Sequence, residues 1–365
     1  MKIVSPLLKR VLYPYLSATG FLRRRRAGRL NVVTYHGLLP AGYKVVDVDL
    51  DGALVAAATF RRQLRLLKSR YNIISPEQFL QHCENEYQLP PRSVLLTCDD
   101  GLLSALTDMV PILQEEGVSC LFFVTGACLA KEPRMMWCEE LYLMLLTAPD
   151  PILMLKLNAV TVRPQSRNEQ GRRSLWWKLV EQMSLCDSQS RDELLENVRV
   201  QLHVPEDWKR QWTEDSERRR RFLTLNPPQL KQLLGAGMSI GAHSVSHPVL
   251  ARMPFRLAWH EIDGSRRALE NALGVPVWAF AYPFGTLASV CQRELEMVER
   301  SGYKCAFMNT GDRFGENVSM FAIPRVHVTA EMQLPEFEAH VSGFHQALRQ
   351  RCMGRDSVSA AAFGN

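Results

Sequence analysis

No stretch of this 365-residue chain approaches the roughly eighteen uninterrupted apolar residues that a membrane-spanning helix needs, which argues against a spanning segment. Nor does any C-x-x-C pair occur among its nine cysteines. An odd count without that spacing fits neither a disulfide framework nor a zinc ribbon, and a reducing compartment is the expected home. Cys98 and Cys120 fall inside apolar runs, where a free thiol acts as a small hydrophobe. Internal repeats and low-complexity tracts are absent too. With 46% apolar and 22% charged residues the chain is not a disordered one and can bury a sizeable core.

Acidic residues are missing from positions 1–30, which carry Lys2, Lys9, Arg10, Arg23, Arg24, Arg25, Arg26 and Arg29. The whole chain has a net charge of +6, so the 335 residues beyond this arm sum to −2. A nearly neutral body, with its cations confined to the arm and to Arg218–Arg221, argues against nucleic-acid binding. Within the arm, Ile3, Val4, Leu7, Leu8, Val11, Leu12, Tyr15 and Leu16 recur at spacings of three and four, although Pro6 and Pro14 weaken a helix. Such a segment can lie on an anionic membrane surface, or it can be a solvated basic tail. No A-x-A-like cleavage site follows it, so a signal peptide is not expected. The expected location is cytoplasmic, with peripheral contact at the inner membrane face through residues 1–30.

What is present is an alternation of short apolar runs and helical patterns. Residues 31–36, 93–98, 119–125, 238–243, 277–282 and 304–308 read as strands. Residues 57–71, 76–84, 104–116, 228–234, 256–273 and 289–301 read as helices, with glycines where several should stop. This β-then-α rhythm predicts an α/β fold, a distorted (β/α)7-type barrel built from residues 31–130 and 227–330. The rhythm breaks over 131–226, where helical patterns near 137–146 and 172–183 and five tryptophans predict a helical insertion. That insertion either shapes access to a site beside the barrel mouth or packs as an appendage. Residues 331–365 read as a C-terminal helix and tail.

Active sites of α/β barrels gather at the carboxyl ends of strands. Asp99 and Asp100 end one run, S-V-L-L-T-C-D-D-G. His243 and His247, spaced i, i+4 in G-A-H-S-V-S-H-P, follow another; His36 ends a third and Y-P-F-G at Tyr282–Gly285 a fourth. Two adjacent carboxylates become tolerable when a divalent cation coordinates one and the other remains free to accept a proton. One carboxylate and two imidazoles leave open coordination positions, as a hydrolytic metal centre requires. Taken singly, the Asp-Asp-Gly segment also suits a structural turn, and the His pair a surface pair.

In these segments the chain resembles the NodB-homology polysaccharide deacetylases, carbohydrate esterase family 4. T-C-D-D-G is similar to their T-F-D-D-G motif, H-S-V-S-H to H-S/T-x-x-H, and F-A-Y-P-F-G at Phe280–Gly285 to R-x-P-Y-G. The resemblance spans about residues 30–330, interrupted by the insertion. It implies that Asp99 is the general base, that Asp100, His243 and His247 are metal ligands, and that the metal is zinc, or else cobalt or nickel. It also implies that the Phe284 amide, with Tyr282 beside it, contacts substrate at the oxyanion. Two departures stand out. Cys98 replaces the motif phenylalanine, and Ala281 stands where many members carry the arginine that holds the catalytic aspartate. Arg325, in I-P-R-V-H-V, is a candidate for the missing cation.

The late acid histidine of the usual motif order is also absent. A branch that includes the poly-N-acetylglucosamine deacetylases is circularly permuted, with an early strand ending Y-H and no arginine in the third motif; V-T-Y-H-G at Val33–Gly37 resembles that strand. His36 is therefore the expected general acid and His327 the second choice, with Asp312 a candidate to orient the imidazole. The expected reaction is metal-dependent hydrolytic N-deacetylation of an amino sugar in a polysaccharide or lipid-linked glycan precursor, in surface polysaccharide biosynthesis. A catalytically inactive glycan-binding module of the same fold is the alternative.

Overall fold

The computed structural model describes residues 4–24, 30–149, 152, 154–157, 160–166, 168–310 and 318–353; Asp312 lies outside the described residues. Thirteen strands occur among them: β1 Leu30–Tyr35, β2 Leu38–Leu39, β3 Val55–Ala56, β4 Asn72–Ile74, β5 Ser93–Cys98, β6 Leu121–Val124, β7 Leu155–Leu157, β8 Val160–Val162, β9 Ser239–Ala242, β10 Ala279–Ala281, β11 Cys305–Met308, β12 Ile323–Pro324 and β13 Val326–His327.

The main sheet is parallel throughout and runs β12-β11-β10-β9-β6-β5-β1-β13, with β4 beside the first half of β5. Its two ends are one stretch of chain. Ile323 pairs with Phe307 and Pro324 with Met308 on β11, while Val326 pairs with Val33 and His327 with Thr34 on β1. Residues Ile323–His327 thus close the sheet on itself, and Arg325 sits at the seam. Counting that segment once gives seven staves, the distorted α/β barrel expected from the β-then-α rhythm.

Side chains alternate across a strand with a period of two. Leu30 and Val32, Leu95, Leu121 and Phe123, Ala279 and Ala281, Cys305 and Phe307, and Ile323 meet in one buried cluster inside the barrel. Their neighbours Val33 and Tyr35, Leu96 and Cys98, Phe122, Ile240, Phe280 and Tyr282, and Ala306 pack outward against the helices. Gly241 lies in the inward register, and a Cβ there would stand 2.5 Å from the Phe123 ring. The outer helices include Ala57–Arg70, Pro76–Cys83, Pro227–Gly235, Phe255–Leu273 and Gln292–Arg300. Ser75 and Asn226 cap two of them through capping boxes with Gln78 and Gln229, satisfying otherwise orphaned amides.

The segment expected to be a helical insertion contains the helices Trp137–Thr147, Glu169–Met183, Ser188–Gln201, Arg210–Thr213 and Ser216–Phe222, together with an antiparallel hairpin of β7 and β8. It has its own hydrophobic core, including Leu141, Leu175, Leu179, Val198 and Trp212. Arg221, fully buried, ties it to the barrel by pairing with Asp51 at 2.6 Å and Glu139 at 2.8 Å.

At the amino terminus Val4–Ala18 is helical despite Pro6 and Pro14, and the turn that precedes Pro14, Leu8–Leu12, is a π turn. Tyr13 is buried there among Leu22, Ala339 and Phe344, docking the arm on the helices Leu334–Val341 and Phe344–Met353. Among the described residues no helix is long and apolar enough to cross a membrane.

Candidate active site

The inward register carries past the ends of the strands and assembles the barrel mouth. Continuing from Val32 and Thr34 places His36 inward; Leu95 and Thr97 lead to Asp99, Gly241 to His243, and Ile323 to Arg325 and His327. The backbone then bends sharply. Among the described residues seven non-glycine residues have positive φ, and four are at this mouth: Asp100 (75°), Ser244 (64°), His247 (58°) and Phe284 (60°). Such conformations cost about 1–3 kcal/mol each and persist where the surroundings enforce them, typically at functional sites.

Asp100, His243 and His247 each offer one ligand atom, all within 4.8 Å of one another. His243 Nε2 lies 3.4 Å and His247 Nε2 3.6 Å from Asp100 Oδ1, which is buried and has no hydrogen-bond partner. His243 Nδ1 lies 2.7 Å from the Ala281 carbonyl. Donating there fixes the tautomer that turns the Nε2 lone pair toward Asp100. Burial works to raise the Asp100 carboxyl, but the facing His243 imidazole, followed by His36 and His247, holds it well below the usual range. Burial, then repulsion from His243, pushes His247 down to about 3. An ionised carboxylate with an orphaned oxygen, facing a neutral imidazole and one of fixed tautomer, is a donor set that fits a divalent cation.

Asp99 is held differently. Arg325 Nη1 and Nη2 donate to its two oxygens at 2.7 and 2.6 Å, and both side chains are completely buried. Arg325 also donates to Asn309 and Thr97 and lies against the rings of Phe123 and Phe307. Burial would raise the Asp99 carboxyl, and the Arg325 charge, followed by the imidazoles, keeps it low. The cation missing at Ala281 therefore enters from the closing strand, and Ala281 is a small residue of the barrel interior. The carboxylate next to Asp100 is engaged by a guanidinium.

His36 Nε2 stands 3.9 Å from Asp99 Oδ2, with the side chain 15% exposed. His327 packs edge-on against His36 at 4.8 Å between ring centroids, and its Nε2 is buried without a partner. Burial, then the charge of His36, lowers His327 to about 3.

Phe284 packs against the His247 ring at 4.7 Å and against Trp177 of the inserted segment at 5.1 Å. Tyr282 corrects the sequence expectation of a substrate contact. It lies in the outward register, is completely buried, and donates its hydroxyl to the Phe321 carbonyl at 2.9 Å, so it is a packing residue. Cys98 likewise faces the helical layer, where it is completely buried as a small apolar side chain. Sequence reasoning expected the insertion beside the barrel mouth but did not single out which of its residues line the site. A cleft of about 440 Å³ opens between the barrel loops and the insertion, lined by His247, Ser246 and Gly126 on one wall and Trp137, Arg191 and Trp208 on the other. No local motif marks those aromatic and basic residues.

A parallel α/β barrel with a carboxylate–His–His cluster and a second, arginine-held carboxylate at its mouth defines a class of hydrolase. Residues 195–306 match the family model of polysaccharide deacetylases, a segment that contains His243, His247 and Phe284 and begins inside the insertion. Over that segment the chain is similar to the polysaccharide deacetylases. Three solved structures share the fold. The deacetylase PplD of Streptococcus pyogenes, solved in complex with acetate, is 16% identical with a TM-score of 0.53, covering 87% of this chain and 99% of its own. IcaB of Ammonifex degensii is 17% identical with a TM-score of 0.52, covering 87% and 98%. A de-N-acetylase of Aggregatibacter actinomycetemcomitans is 12% identical with a TM-score of 0.51, covering 85% and 99%. No curated protein sequence matches the chain.

Proposed function

We propose that the protein is a metal-dependent de-N-acetylase acting on an N-acetylated amino sugar within a glycan or a lipid-linked glycan precursor of surface polysaccharide assembly. The observation that carries this reading is the division of labour between neighbouring carboxylates. Asp100 faces His243 and His247 with an orphaned oxygen, while Arg325 holds both oxygens of Asp99. Asp100, His243 and His247 would hold the ion, zinc by preference for such donors, with cobalt or nickel as substitutes. A divalent ion bound there would supply Lewis acidity toward the amide carbonyl and the attacking water.

The chain's own groups do the rest. Asp99, kept ionised and oriented by Arg325, accepts the proton of the attacking water. The Phe284 amide donates to the oxyanion, and the positive φ of Phe284 sets that N–H apart from the strand ladder. His36, at the open side of Asp99, gives its proton to the departing nitrogen; the C–N bond breaks, releasing acetate and a free amine. His327, pushed to about 3 by burial and then by the charge of His36, is the neutral packed neighbour of His36 at neutral pH, where no imidazolium is available from it as an acid. With Arg325 holding Asp99, the lack of an arginine at Ala281 is no argument for an inactive glycan-binding module.

Acetate release from N-acetylated oligosaccharides, measured beside metal content, tests the roles. Asp99→Asn should lose about 10²–10⁴-fold in turnover with bound metal unchanged, whereas His243→Ala should lose the metal. The reverse pattern would sink the assignment. His36→Ala should lose turnover on the scale of Asp99→Asn, and His327→Ala far less.

The arm supports a location. With Tyr13 docked inward, Leu7 (62% exposed), Val11 (56%) and Tyr15 (64%) form an outward apolar stripe, and Arg10 is exposed beside it. Peripheral contact with the inner face of an anionic membrane is our reading of that stripe. Sedimentation with anionic vesicles should fall when Leu7 and Val11 are both changed to Ser; unchanged sedimentation would exclude it.

A further inference from the structure

The two ligand histidines are held by unlike means. His243 has the Ala281 carbonyl on its Nδ1, whereas the Nδ1 of His247 is buried and has no hydrogen-bond partner among the described residues. A metal-bound imidazole is normally oriented by what its second nitrogen meets. For His247 the orientation must therefore come from its backbone, which is itself in the left-handed region at φ 58°. The barrel holds that loop through His247 N–H to Ser244 Oγ at 2.9 Å, Val245 N–H to the Glu261 carbonyl at 3.2 Å and Gly126 N–H to the Ser244 carbonyl at 3.1 Å. The N–H and hydroxyl of Ser246 both donate to the Glu261 carboxylate, the N–H at 2.7 Å.

Further contacts come from the inserted segment. Trp137 Nε1 donates to the Ser246 carbonyl at 2.7 Å. Arg191, completely buried, donates to Ser246 Oγ at 2.6 Å, and its other nitrogens donate to the Met183 and Cys186 carbonyls at the end of its neighbouring helix. The Arg191 guanidinium lies over the Trp137 ring at 4.7 Å, so the two residues form one unit. Gly126 completes the grip from the barrel side, since a Cβ there would stand 2.5 Å from the Val245 carbonyl. The same segment also holds the other ligand loop. On its return, Leu225 N–H donates to the Gly101 carbonyl and Leu103 N–H to the Leu223 carbonyl, each at 2.8 Å. The loops bearing Asp100 and His247 are thus joined through the insertion.

We infer that residues 131–226 are a working part of the metal centre, with Arg191 and Trp137 as positioning residues that set His247 for coordination. This rests on the metal-centre reading above. The insertion is then no packing appendage: the unit that lines the cleft also sets metal affinity, and anything entering the cleft meets Arg191 and Trp137 directly.

The test uses the full chain, with zinc affinity measured by chelator competition and the visible spectrum of the cobalt form. Arg191→Met should weaken zinc binding by about 10–100-fold, the scale of lost outer-shell contacts, and alter the cobalt bands. Trp137→Phe and Ser246→Ala, milder changes that carry the test should Arg191→Met fail to fold, should weaken it several-fold. Leu179→Ala, in the insertion core away from the loop, should lower thermal stability and leave zinc affinity unchanged. Wild-type affinity and spectra in the Trp137 and Ser246 variants would overturn the inference, as would an equal loss in folded Leu179→Ala. If the wild-type protein bound no zinc or cobalt, the metal-centre reading itself would fall.

Discussion

Two arginines are completely buried beside carboxylates, and they do different things. Arg325 meets one carboxylate, Asp99, with both oxygens taken in a two-pronged pair. Arg221 divides itself between two, Asp51 and Glu139, and also donates to the Leu50 carbonyl. The first arrangement is geometrically exacting and leaves one anion oriented at the barrel mouth. The second joins a barrel loop, the first inserted helix and the last inserted helix at one point. Breaking a buried pair leaves an uncompensated charge in either case, at about 3–5 kcal/mol. Only at Arg325 is that charge also the base proposed above.

Replacing Arg325 therefore has the largest expected effect. Arg325→Met should lower turnover by at least about 10²-fold in protein that still binds metal. It should also move the acid limb of the kcat/KM profile to higher pH, because the charge that holds the Asp99 carboxyl below its usual range is gone while burial remains. The stability sign is the same. A carboxyl lowered in the folded state contributes stability above the ordinary carboxylate range and loses it as pH falls through its folded pKa. Urea unfolding should show that acid loss in the wild-type protein and little of it in the variant. An unmoved acid limb would mean that Asp99 is not the base.

Arg221→Met should separate the two sites. Stability should drop by about 3–5 kcal/mol, as for any broken buried pair. Turnover of the folded, metal-saturated protein should stay within about ten-fold of wild type, since Arg221 touches no reacting group. Denaturation curves and saturated kinetics measure the two quantities independently. A collapse in saturated turnover equal to that of Arg325→Met would erase the distinction.

Much of this difference was readable along the chain, and the limit is physical. Strand ends signal themselves locally: the apolar run of Ser93–Cys98 stops on Asp99 and Asp100, and the observed β5 has the expected bounds. In I-P-R-V-H-V, period-two alternation puts Arg325 and His327 on one face, and the structure turns that face inward. Tyr282 failed for the same reason, being one residue out of the inward register. What had no local signal was pairing across the insertion. Arg191 reaches Ser246 over 55 positions and Arg221 reaches Asp51 over 170, and nothing near either arginine names its partner. The β7–β8 hairpin was missed because three-residue strands carry too little periodicity to register.

The smallest expected effect lies in the redundancy of the Arg221 cluster. Two carboxylates share one guanidinium there, and Glu139 Oε2 is buried with no hydrogen-bond partner. Burial raises the Glu139 carboxyl from an ordinary 4.5 to about 6, with Arg221 pulling the other way. Between those values the native state binds more protons than the unfolded chain, so this group's contribution to stability falls as pH rises. Above about pH 6 the ionised form is a standing cost on the order of 1–2 kcal/mol. Glu139→Gln keeps a carbonyl oxygen for Arg221 and removes the charge. It should leave stability at pH 8 within about 1 kcal/mol of wild type and flatten the slope between pH 4.5 and 6. Asp51 alone then neutralises Arg221. A loss above about 3 kcal/mol at pH 8 would show instead that Arg221 needs both anions as Asp99 needs Arg325, and the two buried arginines would obey one rule.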